Sequence, residues 1–400
     1  MISDKNAPLA LIATSFFVNA LFILPVIVPA YLEKGASVGD FMMIQGLASI
    51  FVCLLELPSG YFGDIFSRKK NVMVGHLFYI AGYAILYLFD GLAAIMGQEA
   101  CIAVALSLFS GTSEAYLYDL LKRTGRENAF HRYYSLQRTV LNVGCLIAAV
   151  AGTFLYARSG LNAVLLTSIG CVALSLILLC FIPDVAESVR VVDGDKIRDI
   201  LNITARTFKD AFLRRVIFMA AVFGVGTGLA YWGLQPILIL KHAPTALFGV
   251  FLTMNQVFRS CWSAAAAKIL DALGEVRTCA LTGGVIILTI GFCTASVLSG
   301  SLAATYAALT LMTLGAASFD LTAVVANALI NGKIRSDERA TVISVNSMTN
   351  RLVGGLFFIA LKPLYENFGT RTTTCLFAFF IIPVIFTVWR IVKGTQNSQA

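Results

Sequence analysis

Five ionisable residues lie well inside long apolar runs of the chain, where a charge is costly. They are Glu114, Arg138, Arg259, Asp320 and Arg351. A charged side chain near the centre of a bilayer costs at least about 2.5 to 3.5 kcal/mol, so such residues usually face a water-filled cavity and pair with another group. Arginine presents a forked set of donors that suits carboxylate and phosphate groups. The three arginines therefore predict binding of an anionic solute, unless each pairs with a carboxylate of the protein.

The two carboxylates occupy corresponding positions, because Asp320 follows Glu114 by 206 residues. A carboxylate in a half-dry cavity can load and release a proton, which makes Glu114 and Asp320 candidates for proton coupling. The alternative is an internal ion pair, of Glu114 with Arg138 or of Asp320 with Arg351, that only holds helices together. Asn19 and Gln235 are candidates for polar contacts with a solute, and hydrogen bonding between helices is the alternative for both.

The composition indicates which elements must position these residues. The 400 residues are 58% hydrophobic and 13% charged, and their mean hydropathy is +0.82. Soluble proteins average about 25% charged residues, so the chain is predicted to lie in a membrane. If both termini are cytoplasmic, most of the 30 lysines and arginines fall on that side, as the positive-inside rule requires. The net charge of +8 therefore reflects topology and not nucleic-acid binding.

Twelve apolar runs are long enough to cross the hydrocarbon core as helices. They cover residues 9–32, 39–63, 71–90, 94–121, 131–156, 161–182, 215–240, 246–268, 277–299, 302–332, 341–364 and 371–392. No cleavable signal peptide is expected, because the first run is too long for one.

The chain shows an internal repeat. Pro29 precedes Asp64 by 35 residues, and Pro236 precedes Asp271 by the same distance, as in transporters built from two halves. We expect a six-helix bundle over residues 1–183, a second over 215–400, and between them a cytoplasmic linker, 184–214, with an amphipathic helix.

A motif follows the second apolar run. Residues 60–70 read Gly-Tyr-Phe-Gly-Asp-Ile-Phe-Ser-Arg-Lys-Lys, with Gly60, Asp64 and Arg68 at its key positions, and a degenerate copy contains Asp271. The motif resembles the loop signature of the major facilitator superfamily. In that family the cluster latches two bundles on the cytoplasmic side, which implies that Arg68 reaches Asp119. The alternative is a basic loop with an incidental aspartate.

The resemblance implies an all-α membrane protein of the bacterial 12-helix type, with two pseudo-symmetric bundles that work by alternating access. Proton-coupled efflux of a small anionic or amphiphilic solute across the cytoplasmic (inner) membrane is expected, with both termini cytoplasmic. Proton-coupled uptake of a metabolite or siderophore-like carboxylate is the alternative, and a non-transporting membrane sensor is the alternative from another class. In the family helices 1, 4, 7 and 10 line the cavity, which favours Asn19 and Gln235 as contacts.

Signatures of other chemistry are weak. Residues 35–39 fit G-x-S-x-G but fall in a short predicted loop and not at a strand-to-helix turn. There is no P-loop and no metal-type cysteine or histidine spacing. We therefore expect no enzyme activity, no cofactor and no metal, and the expected partners are a small solute, protons and membrane lipids, without nucleic acid.

Overall fold

The computed structural model describes residues 2–65, 67–185, 194–334 and 338–396, and it describes the side chains of these residues except those of 56–65, 194–201, 340 and 394–396. The regular structure of this part of the chain is helical. Its α-helices are α1 Ala7–Val18, α2 Ile27–Glu33, α3 Val38–Ile65, α4 Arg68–Leu88, α5 Leu92–Phe109, α6 Thr112–Arg123, α7 Phe130–Phe181, α8 Gly194–Lys209, α9 Ala211–Leu240, α10 Ala246–Leu298, α11 Leu302–Ala316, α12 Phe319–Asn331, α13 Arg339–Leu376 and α14 Ile381–Gln396.

Eight stretches of the described chain are long and apolar enough to cross a membrane, where the sequence predicts twelve. Three of the eight are 55, 53 and 53 residues long, and such helices would be about 80 Å long, far more than the roughly 30 Å of hydrocarbon. Each departs from helical geometry at one glycine, Gly160, Gly274 or Gly369. The φ angles there are +74°, +73° and +70°, which only glycine adopts at little cost.

Three of the predicted single spans are interrupted. The first breaks between Val18 and a short 3-10 helix at Leu24–Val26. The fourth breaks at Ser110 and Gly111, where Gly111 has a φ of +72°. The tenth breaks between Ala316 and Phe319. Hydropathy does not register such breaks, because the residues that form them are as apolar or small as their neighbours.

The chain forms two compact units. The first contains Met1–Val192 and Pro244–Val250, and α1 packs closely on α7 within it. A Cβ atom on Gly144 would lie 2.6 Å from the carbonyl oxygen of Phe16, and one on Gly152 would lie 2.2 Å from that of Phe22. These two glycines therefore give room to the backbone at the break in the first helix.

The second unit contains Asp193–Ala243 and Phe251–Ala400, and α9 is its central helix, packed on α11, α12, α13 and α14. The amphipathic helix is predicted from Asp193 to Arg215, but α8 ends at Lys209. Asp210 begins α9 instead, because its side chain accepts hydrogen bonds from the backbone N–H groups of Phe212 and Leu213. Lys333 lies 3.3 Å from the Asp210 carboxylate.

Candidate functional site

The first intramembrane ion pair lies in the first unit, just after the break at Gly111. Glu114 is in the first turn of α6, where the helix dipole favours a carboxylate by about 0.3 to 1 kcal/mol. Arg138 on α7 donates through Nη2 to Glu114 Oε1 at 2.7 Å, and Tyr134 Oη also donates to this oxygen, at 3.0 Å. The pairing of Glu114 with Arg138, one of the two alternatives predicted from sequence, is present.

The second ion pair lies in the second unit, just after the break that precedes α12. Asp320 is in the first turn of α12, and Arg259 on α10 donates to it twice, through Nη2 at 2.9 Å and Nε at 3.3 Å. The alternative pairing predicted from sequence, of Asp320 with Arg351, is not the one observed. Arg259 pairs with Asp320 because α10 lies beside the break in the tenth predicted span, where Asn255 and Trp262 of α10 donate to the carbonyls of Thr313 and Leu314.

Both ion pairs retain exposed surface within apolar stretches of the chain. The exposed fractions are 54% and 41% for the side chains of Arg138 and Glu114, and 40% and 29% for those of Arg259 and Asp320. A charge exposed to acyl chains would carry the insertion cost given above, so intramembrane charges usually face water. Each unit thus presents one partly exposed ion pair at a helix break.

A third intramembrane carboxylate, Glu99, is absent from the sequence prediction. It lies on α5, seven residues after Leu92, which places it roughly 10 Å along the helix. Its Oε1 accepts a short hydrogen bond from Tyr31 Oη and one from Gln45 Nε2 at 3.3 Å. Tyr31 Oη also lies 2.6 Å from Gln98 Oε1. Among the described side chains, no lysine or arginine forms an ion pair with Glu99.

Sequence reasoning missed Glu99 because it is only five residues into the predicted span 94–121, a depth that suggests an interfacial residue. The available signal was a lone glutamate in the otherwise uncharged stretch from Leu92 to Phe109. Its partners Tyr31 and Gln45 come from two earlier helices, and no local pattern connects them to it.

The other predicted contacts are dispersed within the two units. Asn19 ends α1, donating through Nδ2 to the Ser15 carbonyl at 3.0 Å, while its own carbonyl faces Cys145. Gln235 is half-buried in α9, and Arg351 is half-buried in α13. No described contact brings any of these three residues to Glu114 or Asp320.

The structure describes the side chains of some of the predicted gating residues and only the backbone of others. Arg68 Nη1 lies 2.5 Å from Asp119 Oδ2 and donates to the Ala115 carbonyl at 2.8 Å, so the expected contact between Arg68 and Asp119 is present. The backbone of Gly60 and Asp64 belongs to α3, while their side chains lie outside the described residues. Asp271 is exposed on α10, three residues before Gly274.

Comparison with known proteins gives one family match. The model of the Major Facilitator Superfamily matches residues 9–359 of the chain. A search of curated proteins finds no match.

Several solved structures share the fold. A mutant of the nucleoside transporter NupG is 14% identical, with a TM-score of 0.79, over 96% of this chain and 100% of that one. A POT family transporter in complex with 5-aminolevulinic acid is 11% identical, with a TM-score of 0.74, over 97% and 96% of the two chains. The human organic anion transporter MFSD10 (TETRAN) is 14% identical, with a TM-score of 0.62, over 97% and 100%.

Proposed function

The chain belongs to the major facilitator superfamily of membrane transporters, and we propose that it moves a small anionic or amphiphilic solute across the bacterial cytoplasmic membrane by proton-coupled alternating access. The observation that carries this proposal is the partly exposed ion pair at a helix break in each unit, Glu114 with Arg138 and Asp320 with Arg259. Broken helices with exposed polar groups at mid-depth are typical of transporter binding sites.

Twelve membrane helices are part of the proposal. Dividing the three overlong stretches at Gly160, Gly274 and Gly369 turns eight candidate spans into eleven. The shorter apolar helices Ala7–Val18 and Leu24–Glu33 supply the remaining one. We propose two six-helix bundles joined by the linker 184–214, with both termini cytoplasmic.

The chemistry of the ion pairs favours an anionic solute. A solute carboxylate or phosphate can replace the protein carboxylate on the guanidinium of Arg138 or Arg259, since it presents the same acceptor geometry. The displaced Glu114 or Asp320 then loses its counter-charge and gains a proton more readily. Solute and proton would therefore bind together at these sites. The organic anion transporter MFSD10 shares the fold, which supports the same solute class.

Two directions of transport are candidates, one from the family resemblance and one from this chemistry. Efflux is the direction that the family resemblance implies. Uptake is the second candidate, because the joint binding of solute and proton at an arginine–carboxylate pair suits symport along an inward proton gradient.

A proteoliposome assay with a pH gradient imposed in either orientation tests the function. Labelled dicarboxylates, nucleosides and organic anions are offered, with a lipophilic cation as comparison. We expect gradient-driven movement of an anion in one orientation, and a loss of about tenfold or more in Arg138→Gln and Arg259→Gln, which remove a charge-assisted contact. Arg132→Gln is the matched control, because Arg132 is exposed on the same helix as Arg138. Equal transport by all three variants would contradict the solute site.

The gating role of the motif is tested separately. We expect Asp64→Asn to abolish transport while the protein still inserts and purifies normally, because the latch between the bundles would lose its carboxylate. Arg68→Gln should have the same effect, since it removes the contact with Asp119. Unchanged transport in both variants would contradict a latch.

A further inference from the structure

With the Gln98 amide in the orientation seen here, the hydrogen bonds around Tyr31 cannot all form while Glu99 is ionised. A phenol carries one proton and can donate only one hydrogen bond. Tyr31 Oη nevertheless faces two oxygen atoms, Glu99 Oε1 in a short contact and Gln98 Oε1 at 2.6 Å. An ionised carboxylate and an amide oxygen are both acceptors only. With Glu99 ionised, one of these two contacts would therefore place lone pairs against each other.

A proton on Glu99 satisfies every contact. The protonated carboxyl group then donates to Tyr31 Oη, and Tyr31 donates to Gln98 Oε1. Gln45 Nε2 donates to the Glu99 carboxyl group in either state. When Glu99 loses the proton, Tyr31 turns its hydroxyl toward the carboxylate. Gln98 must then rotate its amide so that Nε2 donates to Tyr31. The two states differ by one proton and half a turn of one amide.

Among the residues that the structure describes, the groups around Glu99 supply no positive charge. Tyr31 contacts Glu99 from α2, and Gln45 contacts it from α3. Tyr79 and Tyr83 on α4 lie close enough to Glu99 to interact with it electrostatically. Among the side chains that the structure describes, these contacts include no cation. Glu114 and Asp320, by contrast, are each neutralised by an arginine. An intramembrane carboxylate without a counter-charge is the one that protonation relieves most.

We propose that Glu99, Tyr31 and Gln98 form a proton-binding site in which Glu99 holds a proton in the absence of solute and Tyr31 relays its hydrogen bond to Gln98. The proposal rests on the proposed proton-coupled transport and adds a second kind of carboxylate to it. Glu114 and Asp320 each pair with an arginine, whereas Glu99 faces no cation among the described side chains. Glu99 lies fifteen residues before Glu114 along the chain, so the proton site and the arginine site are separate.

Infrared difference spectroscopy of the purified full-length protein in lipid nanodiscs, without added solute, tests this site. A pH titration of the wild-type protein should show the carbonyl band of a protonated carboxylic acid, which shifts in deuterated water. The band should disappear in Glu99→Gln and persist in Glu114→Gln and Asp320→Asn. In Tyr31→Phe it should persist at a shifted frequency, because the acid loses its acceptor while the ring is retained.

Proton counting provides an independent readout. In weakly buffered solution, a pH jump should release about one proton more per wild-type chain than per Glu99→Gln chain. A carbonyl band that remains in Glu99→Gln, or no titrating band in a folded wild-type protein, would overturn the site. Neither measurement involves transport. A negative result here therefore leaves the proposed function standing, and a failure of the proteoliposome assay leaves this site standing.

Discussion

The two units share contacts at the ends of corresponding helices but differ in the residues of their interiors. Lys34 ends the helix α2 and Lys241 ends α9. The backbone N–H of each lysine donates to the carbonyl four residues before it, that of Ala30 or Ile237, and the N–H of the next residue, Gly35 or His242, donates to the carbonyl of Leu32 or Ile239. These positions are all related by an offset of 207 residues. Both lysines also reach the end of another helix of their unit. Lys34 contacts Asp90, just after α4, and Lys241 donates to the carbonyls of Val297 and Ser299 at the end of α10.

The interiors have diverged. At the same offset, the partners in the Glu99 cluster correspond to Leu238 for Tyr31, Leu252 for Gln45, Thr305 for Gln98 and Tyr306 for Glu99 itself. Gly144 and Gly152, which give room to the broken first helix, correspond to Arg351 and Ile359. The first helix of the second unit, α9, is continuous, although Pro236 lies within it. The contacts at the helix ends near Lys34 and Lys241 thus occur in both units, whereas the corresponding residues of the second unit reproduce neither the Glu99 cluster nor the close glycine contacts of the first helix.

The largest effect should come from filling the space beside the broken helix. Gly152→Ala places a Cβ 2.2 Å from the Phe22 carbonyl, and because backbone cannot move aside as a side chain can, we expect a loss of about 1 to 3 kcal/mol. Thermal unfolding in detergent measures it.

Gly170→Ala, on the segment of α7 that follows the kink at Gly160, is the control, since no atom lies within 4 Å of its added Cβ. Its helix propensity should leave stability unchanged or raise it by about 0.5 to 1 kcal/mol. Equal destabilisation by both variants would show that the break in the first unit does not depend on this contact.

The next effect compares the two ion pairs. Double-mutant cycles with Arg259→Gln and Asp320→Asn, and with Arg138→Gln and Glu114→Gln, should each give a coupling energy of about 1 kcal/mol or less, because the groups are partly exposed. The Arg259 pair is less exposed than the Arg138 pair, so its coupling should be the larger. The reverse order would contradict the shared role of the two sites.

A smaller effect on stability is expected from substitution of Lys34 and Lys241, the corresponding lysines of the two units. Lys34→Met and Lys241→Met should each cost about 0.5 to 1 kcal/mol, the value of an exposed ion pair or a net hydrogen bond. Added salt should reduce the cost at Lys34, because its partner Asp90 is 81% exposed. The cost at Lys241, which donates to backbone carbonyls, should change less. Identical salt dependence would remove this distinction.

The smallest effect concerns the start of α9, where the first unit has the uncharged Ser3 at the corresponding position. Burial opposes ionisation of Asp210, but the amide N–H groups of Leu213 and Phe212 and the Lys333 ammonium group outweigh it, and its pKa is lowered. The folded state therefore gains stability above the unfolded pKa of roughly 3.9. This gain disappears as the pH falls through the lowered folded value.

Asp210→Asn keeps the helix cap and removes the charge. We expect it to cost a few tenths of a kcal/mol near neutral pH, with no difference from wild type at the acid end of the titration. Stability curves of both proteins against pH measure it, and a difference that grows on acidification would contradict the assigned sign.

Some of the site could be predicted from sequence, because its signals are local. Apolar runs reveal where a charge is out of place, which identified the pair of Glu114 and Arg138, and the loop motif indicated the contact of Arg68 with Asp119. The partner of Asp320 was missed because Arg259 and Arg351 are equally deep in their predicted spans. Depth along a helix does not tell which face a side chain occupies.

The breaks in the helices were missed for a different reason. Hydropathy measures transfer into lipid and is insensitive to φ and ψ, so the runs 94–121 and 302–332 read as continuous. The interruption after Ala316 contains neither glycine nor proline, and no residue type signals it. The Glu99 cluster likewise exists only through packing, since its members come from three helical segments.

The left-handed glycines at positions 160, 274 and 369 leave no slack between the helical segments on either side of them. A single residue joins two rods, so neither rod can slide or rotate far without pulling the other. In any rearrangement during a transport cycle, the two helical segments joined at each glycine should therefore move together. A spectroscopic label on one member would report the displacement of both, and a peptide tag inserted at any of these three corners would disturb the cycle far more than one placed in the linker.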